Sequence, residues 1–155
     1  MAELTAGDIM TPDPITVGPE MTVTDAAQLM TERHIGALPV VEGGRMVGLV
    51  TESDLIMQDA RVHFPTYLSL LGGYILWPGS TERFESSLRK AVGATVADVM
   101  TSEPVTVTPD VALGDVATLL MDRDVSRVPV MQGDAVVGII SKHDIVRSIA
   151  QGSQA

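Results

Sequence analysis

The chain contains an internal repeat, and this repeat restricts its fold more than any other feature of the sequence. A shift of 90 residues aligns residues 8–56 with residues 98–146 without a gap, and 17 of the 49 aligned pairs are identical. Each copy has about 50 residues, which is too few to bury a comfortable core alone. We therefore expect the two copies to pack against each other about a pseudo-two-fold axis.

Each copy carries the same pattern of predicted elements, in the order β-α-β-β-α. A proline precedes a short predicted strand, PITV or PVTV, and the helix that follows has apolar residues three and four positions apart. Two further strands, ALPVV with MVGLV and RVPVM with VVGII, are separated by a turn and lead into a closing helix. The proline inside the second strand predicts an edge position or a strand start. The pattern as a whole predicts an α+β fold.

The segment between the copies has no partner in the repeat. It spans residues 57–94 and contains all five aromatic residues of the chain, and its apolar spacing predicts helices. The predicted organisation is therefore a first repeat at 1–56, a helical insert, a second repeat at 95–150 and a loose tail at 151–155. The aromatic side chains either fill gaps between the repeats or form a surface for self-association or for a partner.

The third strand of each copy runs directly into the closing helix, at GLVTESD and GIISKHD. The first amides of such a helix have no intrahelical partner and can hold an anion. Thr51 and Ser141 occupy the N-cap position, and Asp54 and Asp144 follow in the first turn. A carboxylate there suits the adjacent hydroxyls of a ribose, but the same spacing is also typical of a helix cap. From the residues alone, a ligand site and a plain helix start are both open interpretations.

A glycine interrupts the third strand of each copy, at Gly48 and Gly138. A missing side chain inside a strand often permits the close approach of a ligand or of another backbone. The sequence leaves these two alternatives open.

Several classes of function are disfavoured by what the chain lacks. It has no cysteine, which excludes disulfides and thiolate metal sites, and its three histidines show no metal-ligand spacing. The net charge of −10 disfavours binding to a nucleic acid backbone. No catalytic triad, phosphate loop, membrane-length apolar run or secretory signal is present. We expect a cytoplasmic protein that is not an enzyme and needs no metal or cofactor.

The segments DIMTPDPITV and DVMTSEPVTV, ALPVV and RVPVM, and GLVTESD and GIISKHD together resemble the cystathionine-β-synthase (CBS) domain family. Two copies in tandem resemble the arrangement called a Bateman module. The resemblance implies a β-α-β-β-α fold for each repeat, with the two sheets packed together. It also implies up to two clefts that bind adenosine-containing ligands such as AMP, ADP, ATP, NAD or S-adenosylmethionine.

The resemblance also implies roles for particular residues. Asp54 and Asp144 would hold the ribose, while Thr51 and Ser141 would approach the phosphate. The residues that would border the adenine are Ile15, Thr16, Leu38, Pro39, Val105, Thr106, Val128 and Pro129. Neither repeat contains an aromatic residue, so backbone groups and aliphatic side chains would contact the base.

The two copies differ in charge near the predicted clefts. Arg127 stands where the first copy has Ala37, and Lys142 stands where it has Glu52. This difference favours phosphate binding near Arg127 and Lys142, although each could also be a solvated surface cation. On this ground we expect loss of Asp144 to weaken binding more than loss of its counterpart in the first copy.

The resemblance implies a stand-alone regulatory module that senses an adenosine-containing ligand and signals to an unidentified effector protein. Because members of this family often dimerise, a homodimer is expected. The alternative is a protein-interaction or scaffold dimer with vestigial clefts, in which Asp54 and Asp144 serve only as helix-start residues.

Overall fold

The structure, a computed structural model, describes residues 3–57 and 94–152. The predicted helices of the insert and the end of the predicted tail lie outside these residues. Among the described residues, no helix has the length and apolar character needed to cross a membrane.

Each repeat contributes a β-hairpin, and the predicted second and third strands are confirmed. In the first repeat β2 (Ala37–Glu42) pairs antiparallel with β3 (Arg45–Thr51), and in the second β4 (Arg127–Gln132) pairs with β5 (Ala135–Ser141). Both hairpins shift register at the matching position, one residue after the strand proline. Both turns contain a glycine with positive φ, a conformation in which glycine has no steric penalty.

In each repeat the helix before the hairpin packs on it, at Val23–Arg33 and at Leu113–Asp122, and the closing helix of the second repeat spans Lys142–Gly152. The first begins where the Thr22 hydroxyl accepts a hydrogen bond from the Asp25 amide at 3.1 Å. Each helix before a hairpin buries two residues four positions apart, and these residues lie on one face of the helix. The buried pairs are Ala26 with Met30 and Val116 with Leu120.

The prediction of short strands at PITV and PVTV is wrong. Each segment makes only one parallel bridge, from Val17 to Val40 and from Val107 to Val130. At the first bridge, the Val17 amide donates to the Pro39 carbonyl at 3.0 Å. The next bond of the ladder on one side would need an N–H from Pro39, and on the other side an N–H from Pro19. Because proline has no N–H, the ladder stops after a single bridge.

The start of each repeat packs on the opposite repeat. The first arm, residues 4–12, contains the short helix Ala6–Ile9 and strand β1 (Thr11–Pro12). Strand β1 pairs with β5 of the second repeat, and the Ala6 amide donates to the Val111 carbonyl at 2.8 Å. Chain segments are therefore exchanged between the two repeats.

The second arm, residues 94–101, makes the reciprocal contacts with the first repeat. Its short helix spans Val96–Val99, and the Val96 amide donates to the Met21 carbonyl at 2.8 Å. Thr101 and Leu49 exchange two backbone hydrogen bonds, of 2.9 and 3.0 Å. These matched contacts in both directions are the pseudo-two-fold relation expected from the repeat.

The exchanged arms explain the two strand glycines. A Cβ atom at Gly138 would overlap the Met10 sulfur, and a Cβ atom at Gly48 would overlap the Met100 sulfur. At Gly48 the same atom would also lie only 2.9 Å from the Thr101 carbonyl oxygen. The sequence left open whether a ligand or another part of the backbone approaches these glycines. In the structure, the approaching group is another segment of the chain.

The fold has two hydrophobic cores, and each contains residues from both repeats. Ala6 lies in the core of the second repeat with Val116 and Ile140, whereas Val96 lies in the core of the first repeat with Leu38. All five side chains are completely buried. The predicted α+β fold of two packed repeats is confirmed, with arm exchange as a feature that the sequence did not predict.

Candidate functional site

The first corner, residues 51–54, joins β3 to a helix that begins at Glu52. One carboxylate oxygen of Asp54, Oδ2, accepts hydrogen bonds from the Thr51 amide at 2.9 Å and from the Thr51 hydroxyl at 3.1 Å. The other oxygen, Oδ1, has no hydrogen-bond partner within the described part of the chain, and Asp54 is only half-buried. The first corner therefore offers a carboxylate that is held in place and has one free oxygen.

The second corner, residues 141–144, has the same backbone arrangement but a different carboxylate. Asp144 Oδ2 accepts from the Ser141 amide at 2.8 Å, and the Ser141 hydroxyl accepts from the Asp144 amide at 3.1 Å. Asp144 Oδ1 accepts a hydrogen bond from Arg147 Nη2 at 2.7 Å, so both of its oxygens are engaged. The side chain of Asp144 is only 8% exposed. The two corners thus differ in how accessible their carboxylates are.

The capping interpretation of the corners is supported by two other helix starts in the chain. At each short arm helix, an aspartate oxygen accepts from the amide and hydroxyl of the threonine three residues earlier, in the pairs Thr5 with Asp8 and Thr95 with Asp98. The distances, from 2.9 to 3.1 Å, match those at Thr51 and Asp54. Capping alone therefore accounts for the position of each corner aspartate.

Arg127 extends from the second repeat to the first. A Cβ atom at Gly36 would overlap the Arg127 guanidinium and would lie 2.6 Å from Glu52 Oε1. The Gly36 carbonyl accepts from the Glu52 amide at 3.1 Å, which places Gly36 directly beside the first corner. Because the guanidinium lies against Gly36, the Arg127 charge is next to the first corner, although its backbone pairs with Ser141 at the second.

The predicted phosphate-binding side chains differ in whether they already donate a hydrogen bond within the protein. The Thr51 hydroxyl donates to Asp54, whereas the hydroxyl proton of Ser141 has no acceptor within the described residues. Lys142 is exposed, and its amide donates to the Ser126 carbonyl at 3.0 Å. Of these side chains, those of Ser141 and Lys142 are free to donate to a phosphate.

The residues predicted to border adenine are adjacent in the structure. The bridge from Val17 to β2 places Ile15 and Thr16 alongside Leu38 and Pro39, and the second repeat repeats this arrangement. Ile15 and Thr16 are exposed, but the side chain of Leu38 is fully buried in the core. Val128 is likewise fully buried, as are the rings of Pro39 and Pro129. The roles of these residues stay predictions.

Three residues near the corners were not predicted as site residues. Glu52 faces the Arg127 guanidinium, Arg147 pairs with Asp144, and Thr101 borders β3 two residues before the first corner. The charge differences between the copies could have indicated Glu52, because it stands where the second copy has Lys142. In the parts of the chain that the structure describes, no cluster of three potential metal ligands is present.

The sequence model of the CBS domain matches residues 6–60 and, a second time, residues 96–151. This chain belongs to the CBS domain family. It contains two CBS domains in tandem, as the resemblance implied, and residues 6–12 and 96–101 of the exchanged arms lie within the matched regions.

Similar proteins occur in distant organisms. The chloroplastic CBS domain-containing protein CBSX2 of Arabidopsis thaliana is 31% identical over 159 residues, which cover 95% of this chain and 64% of that protein. The uncharacterized protein MJ1426 of Methanocaldococcus jannaschii is 27% identical over 144 residues, covering 88% of this chain and 86% of that protein.

Solved CBS structures share the fold. A crystal structure of CBSX2 in complex with AMP has a TM-score of 0.74 at 28% identity, with 97% of this chain and 98% of that chain covered. The CBS domain pair of protein MJ0100, in complex with 5'-methylthioadenosine and S-adenosyl-L-methionine, has a TM-score of 0.72 at 23% identity, covering 97% and 99% of the two chains. The second likeness concerns the fold only.

Proposed function

We propose that this CBS pair is a regulatory, non-catalytic module that binds an adenosine-containing ligand between its two repeats. The observation that carries this proposal is the first corner, where the half-buried Asp54 has a carboxylate oxygen that accepts no hydrogen bond from the described residues. At the same corner the Arg127 guanidinium lies against Gly36, whose carbonyl accepts from the Glu52 amide. A carboxylate and a guanidinium at one corner suit a ligand that has both a diol and a phosphate.

Each part of such a ligand has a counterpart in the structure. The free oxygen of Asp54 can accept a hydrogen bond from a ribose hydroxyl, and Arg127 can donate to a phosphate. The exposed segment at Ile15 and Thr16 has backbone groups beyond its single bridge that can contact the base edge. The AMP bound by CBSX2, a relative with the same fold at 28% identity, supports this choice of ligand class.

The proposed output is a change in how the repeats pack, sensed by an effector protein or by a second copy of the chain. A ligand held by Asp54 of one repeat and Arg127 of the other would favour one relative placement of the two, and its differential affinity sets the size of the shift. Exposed apolar residues at matching positions of the closing helices, Ile56 at 65% and Val146 at 62%, are available for the homodimer in this proposal. The proposal keeps the predicted cytoplasmic location.

Thermal unfolding with AMP, ADP, ATP, NAD and S-adenosylmethionine tests the ligand class. A ligand present at 100 times its Kd should raise the free energy of unfolding by about 2.7 kcal/mol. For a chain of this size, that increase corresponds to a rise in Tm of roughly 5–11 °C. Unchanged Tm values with all five compounds would contradict the proposal.

Replacement of Arg127 by alanine should weaken ATP binding and leave adenosine binding unchanged. The guanidinium would contact only the phosphate chain, and one charge-assisted hydrogen bond contributes about 1.5–3 kcal/mol, or roughly a tenfold to hundredfold change in Kd. Calorimetric titration with both compounds checks this, and Arg33→Ala, which removes an exposed cation far along the sequence from either corner, is the control. Equal losses for ATP and adenosine would instead make Arg127 a structural residue.

The scaffold alternative has one observation in its favour. The carboxylates of Asp8 and Asp98 at the arm helices make the same capping contacts as Asp54. A chain that uses this cap elsewhere could use it at both corners without any ligand. In that case the clefts would be vestigial, and the module would act through contacts with other proteins.

A further inference from the structure

The carboxylate of Asp144 is occupied by a neighbouring side chain of its own helix. Arg147 Nη2 lies 2.7 Å from Asp144 Oδ1, and the backbone amide of Ser141 holds Oδ2 at 2.8 Å. The carboxylate is 8% exposed, while the Arg147 side chain that covers it is 54% exposed. Arg147 therefore lies on the solvent side of a buried carboxylate whose two oxygens are both engaged.

The matching position of the first repeat carries Met57, which cannot form this ion pair. Asp54 consequently keeps Oδ1 free within the described residues, and it is more exposed than Asp144. We propose that Arg147 closes the second corner and that the chain has one tight site for an adenosine-containing ligand, at the first corner. This inference rests on the proposed function.

The way in which a carboxylate binds a ribose explains why we place the tight site at the first corner. A ribose diol must donate at least one hydrogen bond to a carboxylate oxygen, and each such oxygen can accept two. At Asp144 the side chain is only 8% exposed and Arg147 covers Oδ1, so a ribose would reach that oxygen only after Arg147 has moved away. The Arg127 guanidinium lies against Gly36 of the first repeat, and its charge is a second reason to place the tight site at the first corner. This order is the reverse of the one expected from the sequence, in which Asp144 was the more important aspartate.

The test measures AMP binding at the second corner in a chain that carries Asp54→Ala, which weakens binding at the first corner. Adding Arg147→Met, which installs the residue found at the matching position, should lower the Kd for AMP by about twofold to fivefold, the contribution expected of a partly exposed ion pair. Calorimetric titration of AMP measures both chains, and Arg33→Met in the same background controls for the loss of one positive charge.

The reciprocal substitution introduces an arginine at the first corner, which should close it. Met57→Arg in the otherwise unaltered chain should weaken the tight binding of AMP by a similar factor, because the new guanidinium stands three residues after Asp54. Met57 is 54% exposed, so the larger side chain is accommodated without repacking of a core. Thermal unfolding of each variant verifies that the fold is retained.

The outcomes separate this inference from the proposed function. Two equal AMP sites in the unaltered chain, or no gain on adding Arg147→Met, would overturn the inference and leave the proposed function intact. An absence of AMP binding in the unaltered chain and in Arg147→Met alike would overturn both. One tight site, a gain with Arg147→Met and a loss with Met57→Arg would support the inference.

Discussion

Replacing Asp54 by alanine should raise the Kd for AMP at the first corner by about tenfold to a hundredfold, because the variant loses the charge-assisted hydrogen bond to the ribose. The free Oδ1 atom is the group that the ribose would use, since Oδ2 is already held by Thr51. Isothermal titration of AMP into the unaltered and variant chains measures the change in the tight phase of binding.

The same substitution also removes a helix cap, which alone contributes about 0.5–2 kcal/mol to stability. Asp98→Ala is the matched control, because Asp98 caps its helix through the same contacts with Thr95, at 2.9 and 3.1 Å, but lies on an arm helix. It should lower Tm to a similar extent and leave the Kd for AMP unchanged. If both variants weaken AMP binding equally, the effect of Asp54 is one of stability and its role in binding is refuted.

Gly48→Ala should lower the free energy of unfolding by about 2–4 kcal/mol, among the larger effects expected of a single methyl group. The new Cβ would overlap the Met100 sulfur and lie 2.9 Å from the Thr101 carbonyl oxygen, so the second arm would have to move away from β3. That movement would also weaken the two backbone hydrogen bonds between Leu49 and Thr101. Chemical denaturation measures the free energy, and Tm should fall by about 4–16 °C.

Two other glycines provide comparisons for this result. At Gly138 the new Cβ meets only side-chain atoms of Met10, which can rotate, so Gly138→Ala should destabilise less than Gly48→Ala. Gly114 lies inside a helix with its nearest neighbouring atom at 3.7 Å, and Gly114→Ala should be neutral or stabilise by up to about 1 kcal/mol. Equal stability of the Gly48 and Gly114 variants would show that the second arm is not tightly packed on β3.

The local elements of the fold could be predicted from the sequence because their determinants are local. The stripe from Val23 to Met30 specifies one helix face, and a glycine turn between two apolar runs specifies each hairpin. The short strands after Pro14 and Pro104 could not be predicted correctly from propensity. Their pairing depends on the neighbouring strand, where Pro39 and Pro129 lack the N–H that a longer ladder needs.

The exchange of the arms depends on contacts between residues more than 50 positions apart, which no local pattern encodes. Ala6, for example, donates its backbone hydrogen bond to Val111. The strand glycines did mark the two contact points, but a glycine indicates only that something approaches closely. Whether that group is a ligand or a methionine of the other repeat depends on the three-dimensional arrangement.

At the candidate site, the sequence predicted the helix caps and the charge differences between the copies. It did not predict that Asp54 and Asp144 differ in accessibility. The positions of Thr51 and Ser141 follow from the strand-to-helix pattern, which is local. The reach of Arg127 toward Gly36 and the pairing of Arg147 with Asp144 depend on side-chain directions, and a one-dimensional pattern does not contain these. The contrast between Met57 and Arg147 lies one residue beyond the aligned repeat, and its meaning required the structure.

The exchanged arms have a consequence for biosynthesis. The core of the first repeat needs Val96, and that of the second needs both Ala6 and Ile140, so neither can be completed while only the first repeat has left the ribosome. Contacts between such distant segments also slow folding once the chain is released. The nascent first repeat thus exposes apolar surface until the second is made, and we expect translation pauses or chaperone capture to affect the yield of this protein more than that of a protein whose domains fold one after the other.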